Sequence, residues 1–196
     1  AKGNLGRALV KAFGDLGGDG ALDLGSQLLS LGRSYLFANQ FAPGIALCLA
    51  AAERAGVPST KRLALRKAIE GLLSDGQAER ALEVVGTLRS ISAVPLIADI
   101  HAGAALVALE RCEEAVALLE GLSGGIDEDG FEFQPSFWAT TLAQAYVALG
   151  RSDEAADLCL GVLRDAGGLD AHLGLLVEAV EATGHSHRVI YDAIPS

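Results

Sequence analysis

Apolar side chains recur along this chain at intervals of three and four residues, the spacing that lines up one face of an α-helix. Residues 4–16 show the pattern in its simplest form. Leu5, Ala8, Leu9, Ala12, Phe13 and Leu16 form one stripe, and Gly17-Gly18 ends it. The later runs come in pairs around a short turn. The clearest pair reads Leu142-Ala143-x-x-Tyr146-x-x-x-Gly150-Arg151-Ser152-Asp153-Glu154-Ala155, followed by Cys159 and Val162. A first amphipathic helix ends near Gly150, and a second begins at once.

The same frame recurs. Leu31-Gly32-x-x-Tyr35-x-x-x-Asn39 leads to Gly44, Cys48 and Ala51. Ala68-x-x-x-Leu72-x-x-x-Gly76 leads to Ala81, Val85 and Leu88, and Ala102-Gly103-x-x-Leu106-x-x-x-Glu110 leads to Ala115, Leu119 and Leu122. Leu176-x-x-x-Val180-x-x-x-Gly184 opens a last unit that runs on through Val189 and Ala193. Successive turns at 39, 76, 110, 150 and 184 lie 37, 34, 40 and 34 residues apart, and the longest interval holds an insertion, residues 123–134.

The residue types follow from packing. Gly76, Gly150, Gly184 and Asn39 stand in the turn, where a left-handed backbone is least costly for Gly and next for Asn. Five residues later Gly44, Ala81, Ala115 and Ala155 are small, as expected where paired helices approach most closely. A larger side chain there would overpack the contact at ~1–3 kcal/mol. Ser152, Asp153 and Glu154 are expected to cap the second helix and offset its dipole. No single pair could bury its apolar face, but a stack of pairs can.

This pattern of Leu-Gly-x-x-Tyr, turn Gly, then Ala and a large apolar residue resembles the tetratricopeptide repeat (TPR) family, whose period is about 34 residues. It is a divergent match: the usual Trp is missing, and Gly56 and Gly167 stand where a closing Pro is common. The resemblance implies an all-α fold, a right-handed α-solenoid of helix–turn–helix repeats forming a TPR-like superhelix. Its repeats would occupy residues 21–58, 59–94, 95–134 and 135–168, with 169–196 as a last repeat or cap. Residues 1–20 would be the second helix of a truncated preceding repeat, and the start at Ala1 without Met reads as a piece of a longer protein.

In TPR-like stacks the first helices line a concave face, and the resemblance assigns that face by register. It takes Ser26, Arg33 and Phe37, then Arg66, Lys67 and Glu70, then His101 and Val107. Phe137, Thr140, Thr141 and Gln144 follow, then Glu178 and Glu181. The surface would grade from basic (Arg33, Arg66, Lys67) through polar (Thr140, Thr141, Gln144) to acidic (Glu178, Glu181). The Lys/Asn clamp with which some relatives hold a C-terminal carboxylate is absent. The partner implied is a protein or peptide segment with acidic groups toward the N-terminal half. The insertion is a second candidate contact, because Phe131, Phe133, Phe137 and Trp138 cluster around its end. Such a cluster either covers a core or anchors a partner.

Composition narrows the function further. Half the residues are apolar but only 5% are aromatic, so Ala, Leu, Val and Gly carry the packing, which suits close helices better than a β-sandwich. The net charge of −10 is uneven: residues 1–98 hold 11 Lys/Arg against 8 Asp/Glu, and residues 99–196 hold 4 against 17. Most of such a surface repels nucleic acid and anionic lipid, and no apolar run approaches the ~20 residues of a membrane span. Neither nucleic acid nor membrane is therefore expected as a partner, whereas self-association of an electrically polar rod stays open. Cys48, Cys112 and Cys159 lack metal spacing and fit reduced thiols in a cytoplasmic setting, with Cys48 and Cys159 as small apolar fillers.

No motif carries chemistry on its own. Gly121-Leu122-Ser123-Gly124-Gly125 has the letters of a nucleophile elbow, but a helix over 113–122 precedes it where a strand is required. Gly14-x-x-Gly17-Gly18-x-Gly20 follows a helix and lacks phosphate-cradle spacing. Asp127-Glu128-Asp129-Gly130 lacks the third ligand and closing Glu of a calcium loop, and His185-x-His187 has no further ligand nearby. The sequence thus points to a non-catalytic interaction scaffold with no cofactor, metal or catalytic residue. The alternative is an accessory repeat region of a larger bacterial protein, such as a family-2 glycosyltransferase or a transcription regulator.

Overall fold

The computed structural model of the chain describes residues 23–93, 95–122 and 135–166. Within them are eight α-helices and no strand. They form four pairs: α1 (Leu24–Phe37) with α2 (Phe41–Arg54), α3 (Pro58–Ser74) with α4 (Ala78–Ile91), α5 (Leu96–Ala108) with α6 (Cys112–Leu119), and α7 (Pro135–Ala148) with α8 (Ser152–Ala166). The expected helix over 4–16, the insertion over 123–134, and the last unit with Glu178, Glu181, His185 and His187 lie outside the described residues.

Four turns of one geometry join the pairs. Asn39, Gly76, Glu110 and Gly150 have φ of 56°, 71°, 60° and 74°, all left-handed, and they are the four turn positions of the sequence frame. In each turn the amide of that residue donates to the carbonyl three back. The next amide, of Gln40, Gln77, Arg111 or Arg151, donates five back to Tyr35, Leu72, Leu106 or Tyr146 at 2.8–2.9 Å. This pair of hydrogen bonds satisfies carbonyls that the helix end would otherwise orphan. The carbonyls of Gln40, Gln77, Arg111 and Arg151 then accept from Gly44, Ala81, Ala115 and Ala155, so one residue ends a helix and starts the next.

That economy corrects the expected capping. Ser152 already lies inside α8, and the position before it is Arg151. Arg151 Nε donates to Glu154 Oε2 at 2.7 Å, and Arg111 Nε to Glu114 Oε1 at 2.7 Å in the matching turn. The acidic residues of the first turn thus neutralise a basic residue at the cap as well as the dipole. Capping by a side chain occurs instead at α1, where Asp23 accepts from the Gly25 amide at 3.1 Å. Pro58 begins α3, where its missing N–H costs nothing. Helix α6 stops at Leu119, short of the expected Leu122.

The chain divides after His101 into two compact units. In the first, α1 packs on α2, α2 on α3 and α3 on α4, and the two first helices α1 and α3 also touch. In the second, α6 packs on α7 and α7 on α8. Packing of each helix on its sequence neighbour is the arrangement of an α-solenoid of helix–turn–helix repeats. Each unit is built as the composition implied: in the first, Ala51, Ala64, Ala68 and Ala81 are wholly buried, as are Leu47, Ile69 and Leu72, and in the second, Ala105, Ala115, Ala139, Ala143, Ala145 and Ala155 are wholly buried, as is Leu119. The small residue after the turn has its expected reason at Gly44, where an added β-carbon would stand 2.7 Å from Leu36 Cδ2 and 3.0 Å from the Leu36 nitrogen. No helix among the described residues is long and apolar enough to cross a membrane.

Candidate partner-binding cleft

Close approach of α1 to α3 shapes a cleft in the first unit. Gly71 of α3 carries no side chain, so Leu36 of α1 fills the space: a β-carbon on Gly71 would lie 2.6 Å from Leu36 Cδ2. Beside that contact lies a cavity of about 790 Å³. Helix α1 lines it with Ser30, Arg33, Ser34 and Phe37, and α3 with Lys67, Glu70, Gly71 and Ser74. Each set is spaced three and four residues apart, so each helix presents one stripe to the cavity. Phe41, at the start of α2, also lines it.

Four residues assigned by register, Arg33, Phe37, Lys67 and Glu70, therefore meet in one cavity. Phe37 is 92% exposed, an unusual state for a phenylalanine. Lys67 Nζ is held by Glu70 Oε2 at 2.6 Å, which cancels both charges. Arg33 is exposed and makes no hydrogen bond or ion pair among the described residues. The net charge offered by Arg33, Lys67 and Glu70 is thus one positive guanidinium beside an exposed ring. Ser30, Ser34, Ser74 and Phe41 were missed by register, although the first three stand three or four residues from a predicted partner.

Cys48 is buried on α2, near enough for this cluster to act on it. Burial pushes its thiol up to about 12, with Glu70 adding to the shift and Lys67 and Arg33 opposing it. All three charged groups thus lie within electrostatic reach of one buried sulfur. Cys48, Cys112 and Cys159 are buried free thiols, and burial also pushes Cys159 up to about 11. At neutral pH Cys48 and Cys159 are protonated and shielded, which fits packing and disfavours nucleophilic chemistry.

Other assigned residues stand elsewhere. Ser26 is exposed outside the cleft, and its hydroxyl donates to Asp23 at 2.6 Å. Arg66 is half-buried and does not line the cavity. His101 corrects the register: it is 4% exposed, and burial, reinforced by Arg66 and Lys67, pushes its imidazole down to about 3. It is a neutral core residue. On α7, Phe137 and Gln144 are exposed and Thr140 half-buried, whereas Thr141 is 2% exposed and its Oγ1 donates to the Phe137 carbonyl at 2.9 Å. One residue is 100° of helix, enough to turn Thr141 inward beside Thr140. Val107 is half-buried.

The second unit has a smaller cavity of about 380 Å³ between α7 and α8, bordered by Trp138, Tyr146, Glu120 and Asp157. Its walls are already tied together. Trp138 Nε1 donates to the Leu119 carbonyl at 2.9 Å, and the Tyr146 hydroxyl to Glu120 at 2.8 Å. Arg151 reaches Glu120 at 3.2 Å with its Cζ 4.4 Å from the Tyr146 ring centroid. Burial and Glu120 raise the Tyr146 hydroxyl to about 12. Trp138 thus packs between helices, while Phe131 and Phe133 lie outside the described residues. Among the described residues no group of three His, Cys, Asp or Glu is placed to hold a metal ion.

Two solved structures share this arrangement of helices. Both are crystal structures of nearly identical TPR-like repeats of a candidate kinesin light chain from Podosopora anserina, one of them a point variant. Their TM-scores are 0.60 and 0.58, and each covers 85% of this chain. The fold is TPR-like. Identity is 17% and 18%, and the match spans 89% and 90% of those chains. No protein-family model and no curated protein matches the sequence. In this TPR-like chain the α1–α3 cleft is bounded by two first helices of adjacent repeats.

Proposed function

We propose that this TPR-like chain is a non-catalytic protein-interaction module, and that the α1–α3 cleft takes an acidic segment of a protein partner. One observation carries the reading: Arg33, without a counter-charge among the described residues, and Phe37, 92% exposed, share a cavity of about 790 Å³. Exposed aromatic and arginine side chains in a concavity are the residue types that dominate interface energetics. A carboxylate docked on Arg33 gains a charge-assisted, bidentate hydrogen bond, and an apolar neighbour covers Phe37. Both side chains are exposed and lie outside the packed Ala and Leu core.

Peptide display against the purified chain tests this reading. Selected sequences should be rich in Asp and Glu beside a large apolar residue, and binding should weaken with added salt. Arg33→Glu should reduce affinity about tenfold or more, a loss of ~1.4 kcal/mol or greater. Selection of sequences that bind Arg33→Glu and Phe37→Ala as well as the parent chain would remove the cleft from the account.

A further inference from the structure

The cleft's own chemistry specifies an occupant more closely, and the inference rests on the reading just given. Arg33 and Phe37 stand four residues apart on α1, a rise of ~6 Å along the helix. Their complement is a carboxylate and an aromatic ring at about that spacing. In an extended segment, residues two apart fall on one face at ~7 Å. The sequence required is therefore acid, any residue, aromatic, with no basic residue nearby.

This chain contains such a sequence. Residues 126–134 read Ile-Asp-Glu-Asp-Gly-Phe-Glu-Phe-Gln, with four carboxylates, no Lys or Arg, and two of the six phenylalanines. Asp129 and Phe131 have the required spacing, and Glu132 and Phe133 follow. The segment belongs to the insertion that stretches one repeat interval to 40 residues, so the helix–turn–helix frame makes no demand on it. The charge balance of the halves, 11 against 8 in residues 1–98 and 4 against 17 in residues 99–196, also sets the first half of one copy to attract the second half of another.

We propose that residues 126–134 of a second copy of this chain dock in the α1–α3 cleft, with Asp129 on Arg33 and Phe131 against Phe37. An acidic segment from any other protein then competes with self-association for one cavity.

The probe is a labelled synthetic peptide of residues 126–134, titrated by fluorescence anisotropy into the Phe131→Ser/Phe133→Ser chain, whose own segment cannot compete. Binding is expected in the range of ~10–100 μM at low salt, at least tenfold weaker in the same chain carrying Arg33→Glu, and lost for the peptide with both Phe replaced by Ser. Sedimentation velocity of the full chain should show reversible self-association that Arg33→Glu and Phe131→Ser/Phe133→Ser each abolish. Mixing those two variants should restore association, since one supplies an intact segment and the other an intact cleft. Circular dichroism confirms that each variant is folded. Peptide binding that is absent up to ~1 mM or indifferent to Arg33→Glu overturns the proposal. So does a wild-type chain that stays monomeric at every concentration, or a mixture that does not associate. If display still selects acidic ligands that need Arg33, those results remove the second copy as occupant and leave the cleft's function standing; if display fails too, both readings fall.

Discussion

Gly32 of α1 stands directly against Cys48 of α2: a β-carbon on Gly32 would lie 2.7 Å from Cys48 Sγ and 3.2 Å from the Cys48 nitrogen. Neither residue is conspicuous alone, yet each sets the size of the other. Gly32→Ala should cost ~1–3 kcal/mol in urea unfolding. Combining it with Cys48→Ala should cost less than the sum of the two single changes, because the sulfur no longer occupies the space. Strict additivity would show that the helices separate freely here, and that the close contact is not part of the fold.

The four turns share a left-handed residue, but only two use Gly. Glu110 adopts φ of 60° with a full side chain. Glu110→Gly should therefore stabilise by ~0.5–1 kcal/mol, the cost of holding a non-Gly residue there. Gly150→Ala, at φ of 74° with open space around its Cα, should destabilise by a similar amount. Chemical denaturation of both variants checks the pair of signs, and a loss of stability in Glu110→Gly would refute the backbone argument.

Asp99, 9% exposed, lies in the first turn of α5 and accepts from Nε and Nη2 of Arg89, near the end of α4. The partners are unequally buried, with side-chain exposures of 49% for Arg89 and 13% for Asp99. Removing the exposed partner strands the buried charge, whereas removing the buried one releases Arg89 to water. Arg89→Ala should thus cost more, ~2–3 kcal/mol, than Asp99→Asn, ~1 kcal/mol. Equal costs in thermal unfolding would contradict this burial.

His101 gives the chain a pH signature. Its pKa is lowered from 6.5 to about 3 by burial, then by Arg66 and Lys67. Between those values the unfolded chain binds a proton that the native chain refuses, so stability rises with pH and falls on acidification. This single group contributes at most ~1.4 kcal/mol per pH unit. Melting temperature should drop from pH 7.5 to pH 5, before most carboxylates titrate, and His101→Phe should flatten that slope. An unchanged slope in the variant would place the imidazole in water.

The repeat is legible in the sequence because it is written in local rules. A left-handed turn restricts residue type at Asn39, Gly76 and Gly150, and helical periodicity fixes which positions face a neighbour. Even Glu110, a poor turn residue by type, was placed by its frame, five residues before buried Ala115. The assigned surface was less legible. Register put Thr141 beside Thr140 and His101 beside solvent, and both are buried. Several residues share a helix face, but the neighbour's position decides which of them water reaches.

Residue order alone thus determined the helix pairs, their turns and the small side chains at their contacts, since each depends on backbone preference or on spacing along one helix. Tertiary structure decided that Arg33, Phe37, Lys67 and Glu70 share one cavity, that Lys67 and Glu70 cancel, and that His101 belongs to the core. These depend on distances between segments far apart in the chain. Burial and Coulomb energy change steeply over a few ångströms, and periodicity carries no information at that scale.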